Sequence, residues 1–205
     1  MDLFKNKLES YGINNDTILV AYDGGEGSFA SRFVWLLTYM GHKKVYLLNG
    51  GYRAWKESGY SSDAQLSHYE KAEYRVQIKE SVLASYQEVK DFTQKRLDDV
   101  VLIDSRETKR FLGIEEPIDK KAGHIPGAIN KVWMNVLDEG YYLQAEELEE
   151  IYKDISGDKE IIVYCGSGVT ASPNYIALKE AGYTNVKVYV GSFSDWISYP
   201  DNTIG

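Results

Sequence analysis

EIIVYCGSGVTASPN, residues 160–174, leads from an apolar run, Ile161 to Tyr164, into a loop with glycines at 166 and 168, and then into a helix-like stretch. Four apolar residues in succession fit a strand covered on both faces. A strand that gives way to a glycine loop and a helix is the unit from which parallel α/β sheets are built. Cys165, the only cysteine in the 205 residues, stands at the junction.

The same grammar recurs along the chain. TILVAY (17–22) reads as a strand buried on both faces, with Ser28 as the cap of a helix through SFASRFVWLLTYMG, which Gly41 closes. KVYLLN (44–49) is the next strand, followed by a short helix around Trp55. Residues 59–75 show no firm period and read as a linker. Beyond them SYQEVKDFTQKRL is an amphipathic helix with Tyr86, Val89 and Phe92 on one face, and VVLIDSR (100–106) is a buried strand ending in charge. AEELEEIYKDI and SPNYIALKEAG are helices, EIIVYC is a strand, and NVKVYVGSFSDW is a strand that enters a short helix. The expected fold class is α/β, a mainly parallel sheet with helices on both faces.

The opening stretch has a counterpart. ILVAYDGGEGSFASR overlays EIIVYCGSGVTASPN with Asp23 on Cys165, an offset of 142 (165 − 23). VYLLNGGYRAW overlays VKVYVGSFSDW with Trp55 on Trp196, an offset of 141 (196 − 55). The chain therefore holds two copies of one unit. Nothing before Asp16 matches the VVLIDSR…GHIPGA portion of the second copy, so the first is expected to be partial: residues 1–60, then a linker at 61–80, then the complete domain at 81–205.

Composition narrows the function. With 23 Lys and Arg against 31 Asp and Glu, a net charge of −8 and a pI of about 5.0, the chain offers no general surface for nucleic acid or anionic membranes. No apolar run approaches the ~20 residues of a membrane span, and the first residues lack a signal-peptide core. A single cysteine excludes an internal disulfide and a multi-thiolate metal site. The expected compartment is the cytoplasm, and no cofactor or metal is expected.

Cys165 lies at the carboxyl end of a parallel strand, where open α/β sheets place their ligands. Gly166 and Gly168 allow successive backbone N–H groups to turn inward, and the following helix adds its positive N-terminal end. Such surroundings favour a thiolate, so a nucleophile is expected. A phosphatase loop of the form C-x5-R would need arginine six residues on, where Ala171 stands, and the hydrolase elbow G-x-S-x-G is absent. GEGSFA (25–30) satisfies G-x-G-x-x-A, but the next strand ends in Leu48-Asn49-Gly50 without the acidic residue a dinucleotide site requires. Asp23 cannot act as a sulfur nucleophile, so the first copy is expected to be silent.

CGSGVTA, DSRETKRF, GHIPGA and GSFSDW together resemble the active domain of tandem rhodanese-like sulfurtransferases, the thiosulfate and mercaptopyruvate group. The resemblance spans residues 81–200, and the first copy resembles the back half of that family's non-catalytic N-terminal domain. It implies that Cys165 accepts a sulfane sulfur as a persulfide and passes it to cyanide or a thiol, a thioredoxin-like protein among the acceptors. It assigns the cradle to Gly166, Ser167, Gly168, Val169 and Thr170, and the binding of a small anionic sulfur donor to Arg110. Mercaptopyruvate-type members share Cys-Gly-Ser-Gly but carry a second arginine where this chain has Asp119; Lys120 or Lys121 is the expected substitute. Arg106 is expected to pair with Asp104, His124 to serve a turn, and the tryptophans to be core, with Trp196 also a candidate wall of the pocket. A partial first copy leaves an open sheet edge, from which self-association is expected. The competing reading is a non-catalytic rhodanese module for binding or sulfur sensing, because in the family the active cleft lies between two domains.

Overall fold

A computed structural model describes residues 1–95 and 97–205, in two compact units, Met1–Lys79 and Glu80–Gly205. The first unit runs α1 (Asp2–Ser10), β1 (Leu19–Ala21), α2 (Ser28–Tyr39), β2 (Val45–Leu47) and α3 (Gly51–Glu57), with β1 and β2 parallel and Leu19 opposite Val45. Its core is built by Leu8 of α1, Leu37 of α2, Met40 and Tyr74, with Phe4, Leu19 and Phe33 packed around them. Helix α1 lies in a segment whose alternation of charge and apolar residues hid its role. Its Leu8 is buried, and the Glu9 carboxylate accepts the Tyr74 N–H at 3.1 Å.

Three local expectations need correction. Strand β1 is not covered on both faces: Val20, in the middle of this two-stranded sheet, is 53% exposed. Ser28 does not cap α2. The helix starts after Gly27 (φ +76°), and Asp23, well upstream, takes the cap role instead. Its Oδ1 accepts the N–H groups of Gly25 and Gly27 at 3.0 Å each, and its Oδ2 accepts that of Ala30 at 3.1 Å. Finally, residues 72–79 are no free linker. Ala72 N–H donates to Glu9 O, Gln77 N–H to Met40 O and Lys79 N–H to Tyr39 O, so this segment closes the first unit.

The second unit continues with α4 (Tyr86–Lys95), β3 (Val100–Asp104), α5 (Thr108–Phe111), β4 (Ile129–Asn130), a small hairpin of β5 (Leu137–Asp138) and β6 (Tyr141–Tyr142), α6 (Ala145–Tyr152), β7 (Glu160–Tyr164), α7 (Ala171–Glu180), β8 (Val186–Val188) and α8 (Ser192–Trp196). Strands β4-β3-β7-β8 form a parallel sheet in that order, with β7 central. Ile161, Ile162, Val163 and Tyr164 of β7 are all buried. Each such aliphatic side chain contributes about 1.5–3 kcal/mol on leaving water, which anchors the strand from which Cys165 projects. Asn174 ties α7 down: its Oδ1 accepts from Tyr152 OH at 2.7 Å, and its Nδ2 donates to Ser105 Oγ at 2.9 Å and to Lys131 O at 2.6 Å.

The repeat is present in the backbone, bond for bond. Leu19 N–H donates to Lys44 O as Ile161 N–H does to Asn185 O; Leu48 N–H donates to Ala21 O as Tyr189 N–H does to Val163 O. Tyr52 N–H donates to Asp23 O at 2.8 Å, and Phe193 N–H to Cys165 O at 3.0 Å. All three pairs keep the sequence offsets. Asp23 and Cys165 thus begin the same loop in two copies of one βαβα unit.

Burial works against the charge on Asp23, but the N–H groups of Ala30, Gly27, Gly25 and Phe29 outweigh it and hold the carboxyl below its usual range. A carboxylate of this kind contributes its full stability above its unfolded pKa of about 3.9, and loses it as pH falls through the lower folded value. Asp23→Asn is therefore expected to destabilise the protein by about 1–2 kcal/mol at pH 7, the scale of a lost cap, and by progressively less below pH of about 4. Urea denaturation of both proteins at pH 7 and pH 3 checks this; an equal deficit at both pH values would contradict it.

Candidate active site

Cys165 follows the last residue of β7 and is 1% exposed. Its backbone is fixed from both sides: the N–H donates to Ser192 Oγ at 3.1 Å, and the carbonyl accepts from Phe193 N–H. The sulfur accepts the Gly168 N–H at 3.1 Å, with Ser192 Oγ 3.9 Å away. Gly168 has to be glycine. Its φ is +81°, and a Cβ there would come within 2.3 Å of the Val190 carbonyl oxygen. Of the expected cradle, Gly168 alone bonds the sulfur among the described residues; Ser167 is exposed, and Thr170 precedes α7 as its N-cap without a side-chain bond.

Ser192, whose role the sequence did not disclose, supports this loop. It is a non-glycine residue at φ +58°, in the left-handed region that costs an L residue roughly 1–2 kcal/mol. Its hydroxyl donates to Tyr189 O at 2.9 Å while accepting from Cys165 N–H, and the side chain is fully buried. The motif GSFSDW held the only hint, a serine directly after a glycine at a strand-to-helix turn.

Two arginines stand beside the loop. Arg106, 1% exposed, pairs with Asp104 as expected: Nε lies 3.1 Å from both carboxylate oxygens and Nη2 2.6 Å from Oδ2. Nη2 also donates to Gly123 O at 2.7 Å, Nη1 to Glu116 Oε2 at 3.1 Å, and the guanidinium carbon sits 4.0 Å from the Phe193 ring centre. Burial opposes this charge, but Asp104 overrides it and raises the pKa above the ordinary arginine value. Arg110 lies next to Gly166, and its partners are acids. Nε is 3.1 Å from each Glu116 oxygen, and Nη2 is 2.8 Å from Glu116 Oε1 and 3.0 Å from Asp119 Oδ2. Lys120 and Lys121 are exposed and take no part in this cluster. His124 accepts a packing role, with Nδ1 2.9 Å from Phe111 O and its ring stacked on Phe111. Trp196 is core, donating Nε1–H to Thr203 O; Trp35 is likewise buried, whereas Trp55 is partly exposed.

A lone thiol at the carboxyl end of the central parallel strand, in a loop shared by two copies of one unit, has a match among known families. The model of the rhodanese-like domain covers residues 1–58 and 85–199. The chain belongs to the rhodanese-like domain family. Its sulfurtransferase relatives include a probable 3-mercaptopyruvate sulfurtransferase of Pseudomonas aeruginosa, 37% identical over 95% of this chain and 69% of that one. The thiosulfate sulfurtransferase of Cricetulus griseus is 39% identical over 94% of this chain and 67% of its own length. Among solved structures, SseA from Escherichia coli, described as having the rhodanese fold of 3-mercaptopyruvate sulfotransferases, superposes with a TM-score of 0.82 at 31% identity, over 94% of this chain and 72% of that one. This chain thus spans about two thirds of these relatives' lengths. The rhodanese-like fold here is a parallel sheet flanked by helices, with one four-stranded unit and one two-stranded copy, and the chain is of the sulfurtransferase class. No helix among the described residues is long and apolar enough to cross a membrane.

In this rhodanese-like chain the Asp104–Arg106 pair is expected to be structural. Arg106→Met leaves the buried Asp104 without its ion-pair partner, while Glu116 keeps Arg110, and should cost about 3–5 kcal/mol. Arg106→Lys should recover less than half of that, because an ammonium cannot reproduce the fork of contacts. Equilibrium denaturation with tryptophan fluorescence reads both, and a lysine variant as stable as the wild type would show that charge alone suffices.

Proposed function

We propose that this chain moves a sulfane sulfur from a donor such as thiosulfate or mercaptopyruvate to a thiol or cyanide, through a persulfide on Cys165. The observation that carries the reading is the hydrogen bond from Gly168 N–H to the Cys165 sulfur, in a loop whose backbone is pinned by Ser192. A backbone donor aimed at sulfur stabilises negative charge there without reorganisation. The near-complete burial of the residue suits transfer of a single sulfur atom and disfavours a bulky electrophile.

In the first half-reaction the Cys165 thiolate attacks the donor's transferable sulfur. With thiosulfate the S–S bond breaks and its electron pair leaves as sulfite. With mercaptopyruvate the C–S bond breaks, and the carbanion equivalent takes a proton to give pyruvate. In the second half an acceptor thiolate or cyanide attacks the outer sulfur of the persulfide, and the Cys165 thiolate departs. The cycle is ping-pong covalent catalysis, with no net redox change at the protein. Glycines 166 and 168 with Ser167, Val169 and Thr170 form the binding loop, and Arg110 is a cation beside it. A single working thiol fits a reducing compartment such as the cytoplasm, and a thioredoxin-like dithiol is a suitable acceptor. The exposed Ile18, Val20 and Tyr46 around the two-stranded sheet support self-association.

Incubation with thiosulfate or mercaptopyruvate, followed by intact-mass analysis, is expected to show a gain of one sulfur atom, located on Cys165 by peptide mapping. Cys165→Ser should lose this gain and all transfer to cyanide while keeping the wild-type circular dichroism. A wild-type protein that gains no sulfur would point instead to a binding or sensing module.

A further inference from the structure

The open face of the first unit matches, position for position, a face that the second unit buries. Through the offsets of 142 and 141, Val20, Tyr22, Tyr52 and Trp55 correspond to Ile162, Tyr164, Phe193 and Trp196. Those four in the second unit are at most 2% exposed, in one core cluster with Val89 and Phe92 of α4, Leu102 of β3 and Ile125. Their counterparts in the first unit are 53%, 61%, 39% and 38% exposed. The first unit has no equivalent of α4 or β3 among the described residues. Tyr46, opposite Val20 in the sheet, extends the same face and is also exposed. Among these side chains lies a cleft of about 850 Å³, lined by Val20, Tyr22, Leu48, Tyr52 and Trp55 and by Ser61 and Ser62. Two of its rings are held in place. Tyr52 Oη donates to Ser62 Oγ at 3.1 Å and Trp55 Nε1–H to Ser61 O at 3.0 Å, so little of their freedom remains to be lost on contact.

We infer that this face binds a second copy of the chain, open face against open face across a twofold axis. The inference rests on the self-association proposed above and assigns its surface and symmetry. The groups that bury the matching face in the second unit are aliphatic and aromatic, and another copy supplies groups of that kind in Val20, Tyr22 and Tyr46. Tyrosine hydroxyls both donate and accept, so like can meet like. The rim holds one charge of each sign, Lys56 at 5.9 Å from the centre of the Tyr52 ring and Asp63, which a twofold axis can set against each other. Asp23, the other acid lining the cleft, already gives its oxygens to three backbone N–H groups. A net charge of −8 repels another copy elsewhere, so contact is favoured where apolar surface dominates. Pairing in plane through the edge of β1 is the weaker arrangement. That strand has three residues, and its backbone bonds gain little over bonds to water, whereas contact between faces buries the rings.

Sedimentation velocity from low to high micromolar protein, with reductant present to exclude a Cys165 disulfide, should show a monomer–dimer equilibrium. Val20→Glu and Tyr22→Glu, both at sites open to water in the single chain, should keep the wild-type circular dichroism. Each should raise the dimer dissociation constant by at least about tenfold, the scale of an unpaired charge placed in a dry contact. Leu3→Glu on α1, an exposed apolar site outside this face, should leave the constant unchanged. In the wild type, acrylamide quenching of Trp55 should fall as the dimer forms, and Trp55→Phe should remove that change. A wild-type monomer at every concentration overturns both the self-association and this surface. A dimer that survives both glutamate substitutions overturns the surface alone, and an open-ended series of oligomers overturns the twofold arrangement. A monomer whose Trp55 is instead shielded by a peptide of residues 85–105, the helix and strand of the covered face, overturns the second copy as occupant.

Discussion

A guanidinium carried into the interior must be paired and hydrogen-bonded, because an isolated buried charge is far costlier than any contact it displaces. Arg106 meets that requirement with groups drawn from across the second unit: Asp104 at the end of β3, Glu116 and Gly123 O from the segment between α5 and β4, and the ring of Phe193 in α8. Glu116 is shared with Arg110, and Asp119 passes the connection through Ser194 to Gly166. The sulfur loop is therefore held between the sheet and a continuous ionic network. Satisfying one buried cation decides where α8 and an otherwise irregular segment lie.

The two copies show how one backbone can hold different chemistry. The main-chain bonds that close the loop recur at the same offsets, so the geometry does not depend on the residue at its head. In the second unit that residue is a thiol, small and polarisable, which receives a single amide donor. In the first it is a carboxylate, whose two oxygens take three backbone donors from Gly25, Gly27 and Ala30. Asp23 supplies its own anion to the loop and cannot exchange it. The substitution turns the loop into a capped helix start, gaining hydrogen bonds where the other copy keeps a thiol.

The same comparison explains which local readings failed. Ser28 has the composition of a helix cap, but Asp23 already holds the donors that Ser28 would have served. Strand β1 has the apolar run of a doubly covered strand, yet its sheet has only two strands and leaves Val20 in water. Residues 72–79, placed in the expected linker, are instead paired to carbonyls at the ends of α1 and α2 and to the Glu9 side chain. In each case a distant partner decided the outcome, and a local pattern carries no record of one.

What the sequence determined by itself was everything that depends on period, repetition and residue chemistry. Continuous apolar runs set the parallel strands, the two offsets of 142 and 141 set the duplication, and the run from Ile161 to Tyr164 placed the single thiol at the end of β7. Opposite charges two residues apart at a strand end were enough to foresee the pairing of Arg106 with Asp104. What only the tertiary structure decided was the electrostatics around the sulfur. The family resemblance offered Arg110 only as a cation for the donor; the structure pairs it with Glu116 and Asp119, which fold back onto it from the segment after α5. Ser192 and Ser194 carried no individual signal within GSFSDW, and it is the β8–α8 turn that brings them against Cys165 and Gly166. The physical reason is that hydrophobic patterning acts between near neighbours in the chain, whereas the partner of a buried charge or hydroxyl is chosen by proximity in space.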